Sequence, residues 1–382
     1  MRRWLLWLSM AGLAGCGWFG GESGEKPAEL TAFEPAASVT ELWSLDTGTG
    51  PKDTYIRIEP VQSDDVLYVC DTRGRVRALT VPTGKERWLA ELKLEVSGAV
   101  GVGDGLVLVA TRKGEVAALD KNTGQEQWRV TVSSEVLAPP AADSGVVVVQ
   151  SVDGRLTALA SATGKRLWTV ERSEPALSLR GTATPVILGD AVLSGFATGK
   201  LMAVGLRDGR ILWETAVSQP LGRTEIERLV DVDIPVMVAG RMLVTAAYQA
   251  KIVAMSLENG RILWSREIST AMPLAADGAN VYVSDARGHV YALDRQSGAT
   301  VWKQDKLQGR RLSAPAVVGT AVAVGDFEGY VHWLARDDGR FLARERPSRA
   351  AILSTPLADG ATLFVLAQNA MLTAMRLEAR PR

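Results

Sequence analysis

Histidine and cysteine are almost missing from this chain, with two of each among 382 residues. So few soft ligands exclude a zinc centre built from cysteine and histidine, and they exclude a disulfide framework. A surplus of either charge is also missing: 43 basic side chains face 43 acidic ones. A balanced surface argues against nucleic acid as a partner. No apolar run reaches the roughly 20 residues that span a bilayer. The longest, Trp4 to about Ala14 behind Arg2 and Arg3, has the length and flanks of an export signal. What is present is a 47% hydrophobic chain, able to bury a large core, with 11 tryptophans against six tyrosines and six phenylalanines.

The apolar run ends in Leu13-Ala14-Gly15-Cys16, a small-residue tetrapeptide that resembles a bacterial lipobox. On that resemblance residues 1–15 are a removed signal and Cys16 is the acylated N-terminus, whose several acyl chains make a permanent anchor. Two positions on stands Trp18, not an aspartate, which points to the periplasmic face of the outer membrane. Residues 16–38 are rich in Gly, Glu, Pro, Ala and Ser and are expected to form a flexible tether. With Cys16 used for the anchor, Cys70 in "LYVCD" has no disulfide partner and is expected to be a buried, inert thiol.

From residue 39 to 379 the chain repeats itself. "GEVAALDKNTGQEQW" (Gly114 to Trp128), "GRLTALASATGKRLW", "GKLMAVGLRDGRILW" and "GHVYALDRQSGATVW" recur at about forty residues. Each reads as two alternating strands around a turn whose glycine supplies a positive φ, with a second apolar pair upstream. Four short strands per unit without helical periodicity describe a propeller blade. The outer-strand position is filled by Trp43, Trp88, Trp128, Trp168, Trp213, Trp264, Trp302 and Leu342, and inner strands are marked by Pro60, Gly98, Pro139 or Pro140, Pro185, Pro235, Pro273, Pro315 and Pro356. Both series give eight blades. The last unit has no tryptophan strand and "TELWSLD" precedes any inner strand, so the N-terminal strand should complete the final blade and close the ring. The tryptophans are expected to fill the gaps between blades, not to stack on a ligand.

Blade lengths hardly vary: 27 to 30 residues separate each inner marker from the next outer position. The connectors vary from 9 to 22 residues, the longest running between Trp213 and Pro235 with Asp231 and Asp233 near its end. The preceding connector is also long and carries "LSLRG", Leu177 to Gly181. A propeller gathers its connectors on one face, and neighbouring long loops with an arginine, two aspartates and leucines suit protein docking. The alternative at this stage is local pairing of the acids with Arg180, Arg223 or Arg228 and leucines tucked beneath the loop.

No catalytic, cofactor or metal set stands out. His289 follows a turn glycine where other repeats carry Arg75, Glu115 or Lys200, and His332 aligns with Arg77 and Ala117, so both are expected on strand or turn surfaces. Gly101 to Gly105 is a hairpin turn with no following helix to cradle phosphate.

From lipobox to last blade, and most specifically in "LSLRG", "TEIERLVDVD" and "GDFEGYVHW", the chain resembles the BamB family, lipoprotein subunits of the outer-membrane protein assembly (BAM) machinery. The resemblance implies a non-catalytic scaffold that binds the periplasmic POTRA domains of BamA, with Leu177, Leu179, Arg180, Asp231 and Asp233 at the contact. Arg180 either bonds across that interface or orders the loop that carries the two acids. Nascent barrel proteins are further candidate partners, through strand addition at the blade rims. The more distant resemblance is to quinoprotein dehydrogenases, through the "ALDxxTGxxxW" repeat at Ala118 to Trp128. Those enzymes need a calcium-binding carboxylate set and often a disulfide against the cofactor, and the single cysteine of the mature domain excludes the disulfide.

Overall fold

A computed structural model describes residues 26–51, 56–173, 175, 182–218, 230–247 and 251–379. Every regular element among them is a strand, and the strands form eight four-stranded antiparallel sheets. Seven sheets are continuous in sequence; blade 2, for example, consists of Gly101–Gly103, Leu106–Ala110, Glu115–Asp120 and Glu126–Thr131 from inside outwards. The eighth takes three strands from the C-terminal end, Leu357–Asp359, Thr362–Leu366 and Met371–Ala379, and its outer strand from Ala37–Asp46. That closing pair is the longest, with nine residue partners where blade 2 has five. The expected eight-bladed propeller and its closure are therefore present.

Second strands and the middle of third strands are mostly apolar and buried, as in Leu106–Ala110 and Val116–Leu119, because a neighbouring blade covers each face of the sheet. The core is a chain of clusters, each bridging adjacent blades, and the cluster joining blade 8 to blade 1 completes the circuit through Phe364, Leu366, Leu372 and Ala374.

The turn between third and outer strands locks blade to blade. In blade 2 the Asp120 carboxylate accepts from the backbone N–H groups of Asn122 and Thr123 and from the Thr123 hydroxyl, and Gly124 follows at φ +73°. A methyl group on Gly124 would lie 2.6 Å from Cε3 of Trp88 in blade 1. The same meeting, at 2.5 to 2.9 Å, recurs at Gly84, Gly164, Gly209, Gly260, Gly298 and Gly339, each with the tryptophan of the preceding blade. Six of these indoles also donate Nε1–H to a backbone carbonyl of the turn they cover, at 2.6 to 3.1 Å. The tryptophans thus fill the gaps between blades. In blade 7 the tryptophan position is held by Ala343, not by the expected Leu342: Ala343 pairs with Trp333 as Trp128 pairs with Ala118, and Leu342 is the bulge residue before it. No indole is needed there because the third and outer strands of blade 8 come from opposite ends of the chain and are not joined by such a turn.

Two further expectations need correction. Residues 16–38 are not a free tether along their whole length, since Ala28 to Ala36 lie on the rim of blade 7 through hydrogen bonds to Gln308, Arg310, Arg344 and Leu342. His332 and His289 are not on the surface. His332 is fully buried in the third strand of blade 7, and His289 is buried beside Asp285. Aspartates at the preceding turns supply partners that make burial of an imidazole tolerable.

Candidate docking face

In a propeller the connectors between blades share a face with the turns between second and third strands, and hydrogen bonds stitch the two together. Leu92, Val132, Arg172 and Val217, each leaving an outer strand, donate backbone N–H to Gly74, Gly114, Gly154 and Gly199 in those turns. Cys70 lies buried beneath this face, its thiol 3.4 Å from the Gly98 carbonyl and its pKa pushed by burial up to about 12.

The longest connector leaves blade 4 and enters blade 5. Both of its described ends rest on the same turn: Val217 and Ser218 donate to the Gly199 carbonyl, while Val232 donates to Phe196 at 3.3 Å. The approach is close enough to require glycine, since a Cβ on Gly195 would sit 2.3 Å from the Val232 carbonyl oxygen and one on Gly199 would sit 2.9 Å from Val230 Cγ2. Val232 joins the core between blades 4 and 5, and Ile234 that between blades 5 and 6. The segment carrying the two acids is therefore a packed stem.

The stem separates the roles of Asp231 and Asp233. Asp231 is 1% exposed, whereas Asp233 is half-buried and reached by solvent. Burial of a carboxylate is tolerated for what it does inside the fold; only Asp233 can meet a partner without rearrangement. Leu177, Leu179 and Arg180, like Arg223 and Arg228, lie outside the described residues, as does Cys16. Among the described residues no three His, Cys, Asp or Glu side chains converge as a metal site would require.

A cluster that the sequence reading missed lies in blade 7. Asp326 Oδ2 accepts from Arg310 Nε at 2.8 Å and faces His332 Nε2 at 2.9 Å, while Arg344 Nε donates to His332 Nδ1 at 3.2 Å. Because Arg344 can only donate, Nδ1 is the acceptor and the ring proton sits on Nε2, toward Asp326. Burial lowers the His332 pKa against the pull of Asp326, which fits a neutral ring. Burial also pushes the Asp326 carboxyl up, but the hydrogen bonds from His332, Arg310 and the Tyr330 backbone outweigh it and hold it below its ordinary value. The signal was the turn pattern in "GDFEG", where Asp326 Oδ1 accepts from the N–H groups of Glu328 and Tyr330 as Asp285 does from Arg287 and His289.

The model of the family described as outer membrane protein assembly factor BamB matches residues 26–100, 72–304 and 292–380, nearly the whole propeller. The chain belongs to the BamB family. It is 50% identical over 348 residues to the BamB of Pseudomonas aeruginosa, covering 91% of this chain and 92% of that one. To the BamB of Alkalilimnicola ehrlichii it is 46% identical over 365 residues, or 96% and 94% of the two chains. The crystal structure of BamB from Moraxella catarrhalis superposes with a TM-score of 0.80 at 27% identity, covering 89% of this chain and all of that one. A quinohemoprotein alcohol dehydrogenase from Comamonas testosteroni shares the fold, with a TM-score of 0.71 at 13% identity, and at that identity shows the fold alone.

Proposed function

We propose that the chain is a non-catalytic assembly scaffold of the outer membrane, anchored at its periplasmic face through lipid on Cys16 and docking the POTRA domains of BamA within the BAM complex on its connector face. The observation that carries this reading is the stem: the longest connector is clamped at both ends on the Gly199 turn of a closed, rigid ring. A loop fixed at its base loses less conformational freedom on binding than a free one. Leu177 and Leu179 would enter apolar pockets of the partner, with Arg180 and Asp233 making charge-assisted bonds at the rim. Asp231 would act from inside, by holding the stem. Co-purification with the BamA periplasmic domains tests this, comparing wild type with Leu179→Ala, Arg180→Ala and Asp233→Ala. Undiminished capture of all three would sink the site assignment, and no capture of wild type would remove the partner.

One observation favours a second activity, strand addition of nascent barrel proteins at the rim. The two copies of "GRILW" place Ile211, Leu212, Ile262 and Leu263 on the outer strands of adjacent blades, each 41 to 45% exposed. Exposed apolar side chains on an unpaired strand edge are the chemistry of β-augmentation. Crosslinking of nascent barrels that persists unchanged after deletion of the propeller would count against it.

A further inference from the structure

The strap from Ala28 to Ala36 has a direction. Ala28 N–H donates to the Gln308 carbonyl at 2.8 Å and its own carbonyl accepts from Arg310 at 3.1 Å, both in the connector between blades 6 and 7. Farther along, the Thr31 carbonyl accepts from Arg344 at 3.1 Å, and the Phe33 ring lies 5.3 Å from Phe341 with the Arg344 guanidinium 5.1 Å above it. Ala36 N–H then reaches the Leu342 carbonyl at 2.9 Å, near the start of blade 7's outer strand Phe341–Glu345. The chain therefore enters on the connector face, descends the rim of blade 7, and reverses into Ala37–Asp46, which climbs blade 8 back to the connector face. Its two arginine anchors are fixed from behind by the buried Asp326 and His332, so the strap is tied to the core of the blade.

We infer that the strap sets how the propeller faces the lipid surface: the connector face looks toward the headgroups, and the opposite face, with the turns between third and outer strands, looks away. The inference rests on the reading that Cys16 carries the lipid. Ala28 stands twelve positions after Cys16, a leash of at most about 40 Å and of root-mean-square length about 20 Å if flexible. Without the strap the leash would start at Ala37 on the far face and reach about 70 Å, too long to orient a ring whose strands are about 20 Å long. The strap shortens the leash and moves its exit to the face that carries the docking stem.

The test uses the full-length lipidated protein on vesicles of phosphatidylethanolamine and phosphatidylglycerol carrying a trace of headgroup acceptor dye. A donor dye is placed on Glu95→Cys, exposed on the connector face, or on Asn122→Cys, exposed on the opposite face; Cys70 is buried and does not compete. Energy transfer should be several-fold greater from position 95. Leu30→Ala with Phe33→Ala, which trims the strap and leaves Arg310, Asp326 and His332 in place, should bring the two positions close to parity while the protein stays on the vesicles. Equal transfer in the vesicle-bound wild type overturns the orientation, an asymmetry that survives the double variant overturns the strap's control of it, and neither touches the anchor. Wild type that fails to float with vesicles, behaving like Cys16→Ser, overturns the anchor and the orientation with it.

Discussion

Blade 2 contains two glycines that differ in one respect only. Gly105, between its inner and second strands, and Gly124, between its third and outer strands, have φ of +75° and +73°. A methyl added at Gly105 meets nothing within 4 Å, whereas at Gly124 it meets Trp88 at 2.6 Å. The left-handed conformation costs an alanine about 1–2 kcal/mol, and the reduced freedom of the unfolded chain returns about 0.4–1 kcal/mol. Gly105→Ala should therefore cost about 1 kcal/mol. Gly124→Ala carries the same term and must also push the indole aside, adding about 1–3 kcal/mol of overpacking and straining the Trp88 bond to the Lys121 carbonyl at 3.1 Å. Equilibrium urea denaturation of the two variants isolates the contact, because the backbone term cancels in their difference. Trp88→Leu should relieve Gly124→Ala and leave Gly105→Ala unchanged, with a coupling energy of about 1 kcal/mol or more in the first pair. Equal destabilisation by the two alanines would refute the claim that the tryptophans lock blade to blade.

Three further outcomes are expected. His332 has its folded pKa below the unfolded 6.5, so the unfolded state takes up the proton first as pH falls; stability should decline below about pH 6.5 by up to about 1.4 kcal/mol per unit. Asp326, also held low, acts only nearer pH 4. Denaturation at pH 7.5, 6.5 and 5.5 should thus show a steeper loss in wild type than in His332→Gln, and parallel slopes would refute the assignment. The Cys70 thiol, raised to about 12 by burial, should resist iodoacetamide at pH 8 in the native protein and react fully in urea, as read by mass spectrometry; rapid native labelling would contradict its placement. Asp231→Asn should lower stability by about 1–3 kcal/mol while Asp233→Asn changes it by less than about 0.5 kcal/mol; the reverse order in denaturation would overturn the division of roles within the stem.

The ring was legible because its determinants repeat. A tryptophan meets a glycine turn at seven of the eight blade junctions, so the spacing of Trp88, Trp128 and Trp168 carries the architecture, and the exception at Ala343, which the sequence reading places at Leu342, follows from the missing turn in blade 8. The strap was not legible because its own residues, Glu29 to Ala36, have the composition of a linker. What fixes them are Arg310 and Arg344, about three hundred residues away, and local sequence carries no trace of such partners. His332 was misplaced for a related reason. Its strand position matches Arg77 and Ala117, and only Asp326, six residues earlier and fully buried, turns that position into a site for a neutral imidazole. For Asp231 the alternation Val230, Asp231, Val232 suggests an outward acid, but in a connector no paired strand enforces alternation, and the close approach of the stem to Gly195 and Gly199 encloses the side chain.

Ring closure also constrains the anchoring proposed through Cys16. The first strand must be the outer strand of blade 8, since that alone removes the open edge, and an outer strand runs from the far face up to the connector face. A tether entering that strand directly would emerge on the far face, away from the stem proposed for docking. Reversing the chain once, down the rim of blade 7, is the shortest route that keeps the closure and still brings the N-terminus out beside the connectors. Blade 7 is also the one blade whose outer strand has no neighbouring turn to cover, so it can give up its tryptophan and accept the strap on Leu342, Arg344 and Phe341. The departures from the repeat in blade 7, namely Ala343, His332 and the two arginines, thus accompany the strap that leads into the strand closing the ring.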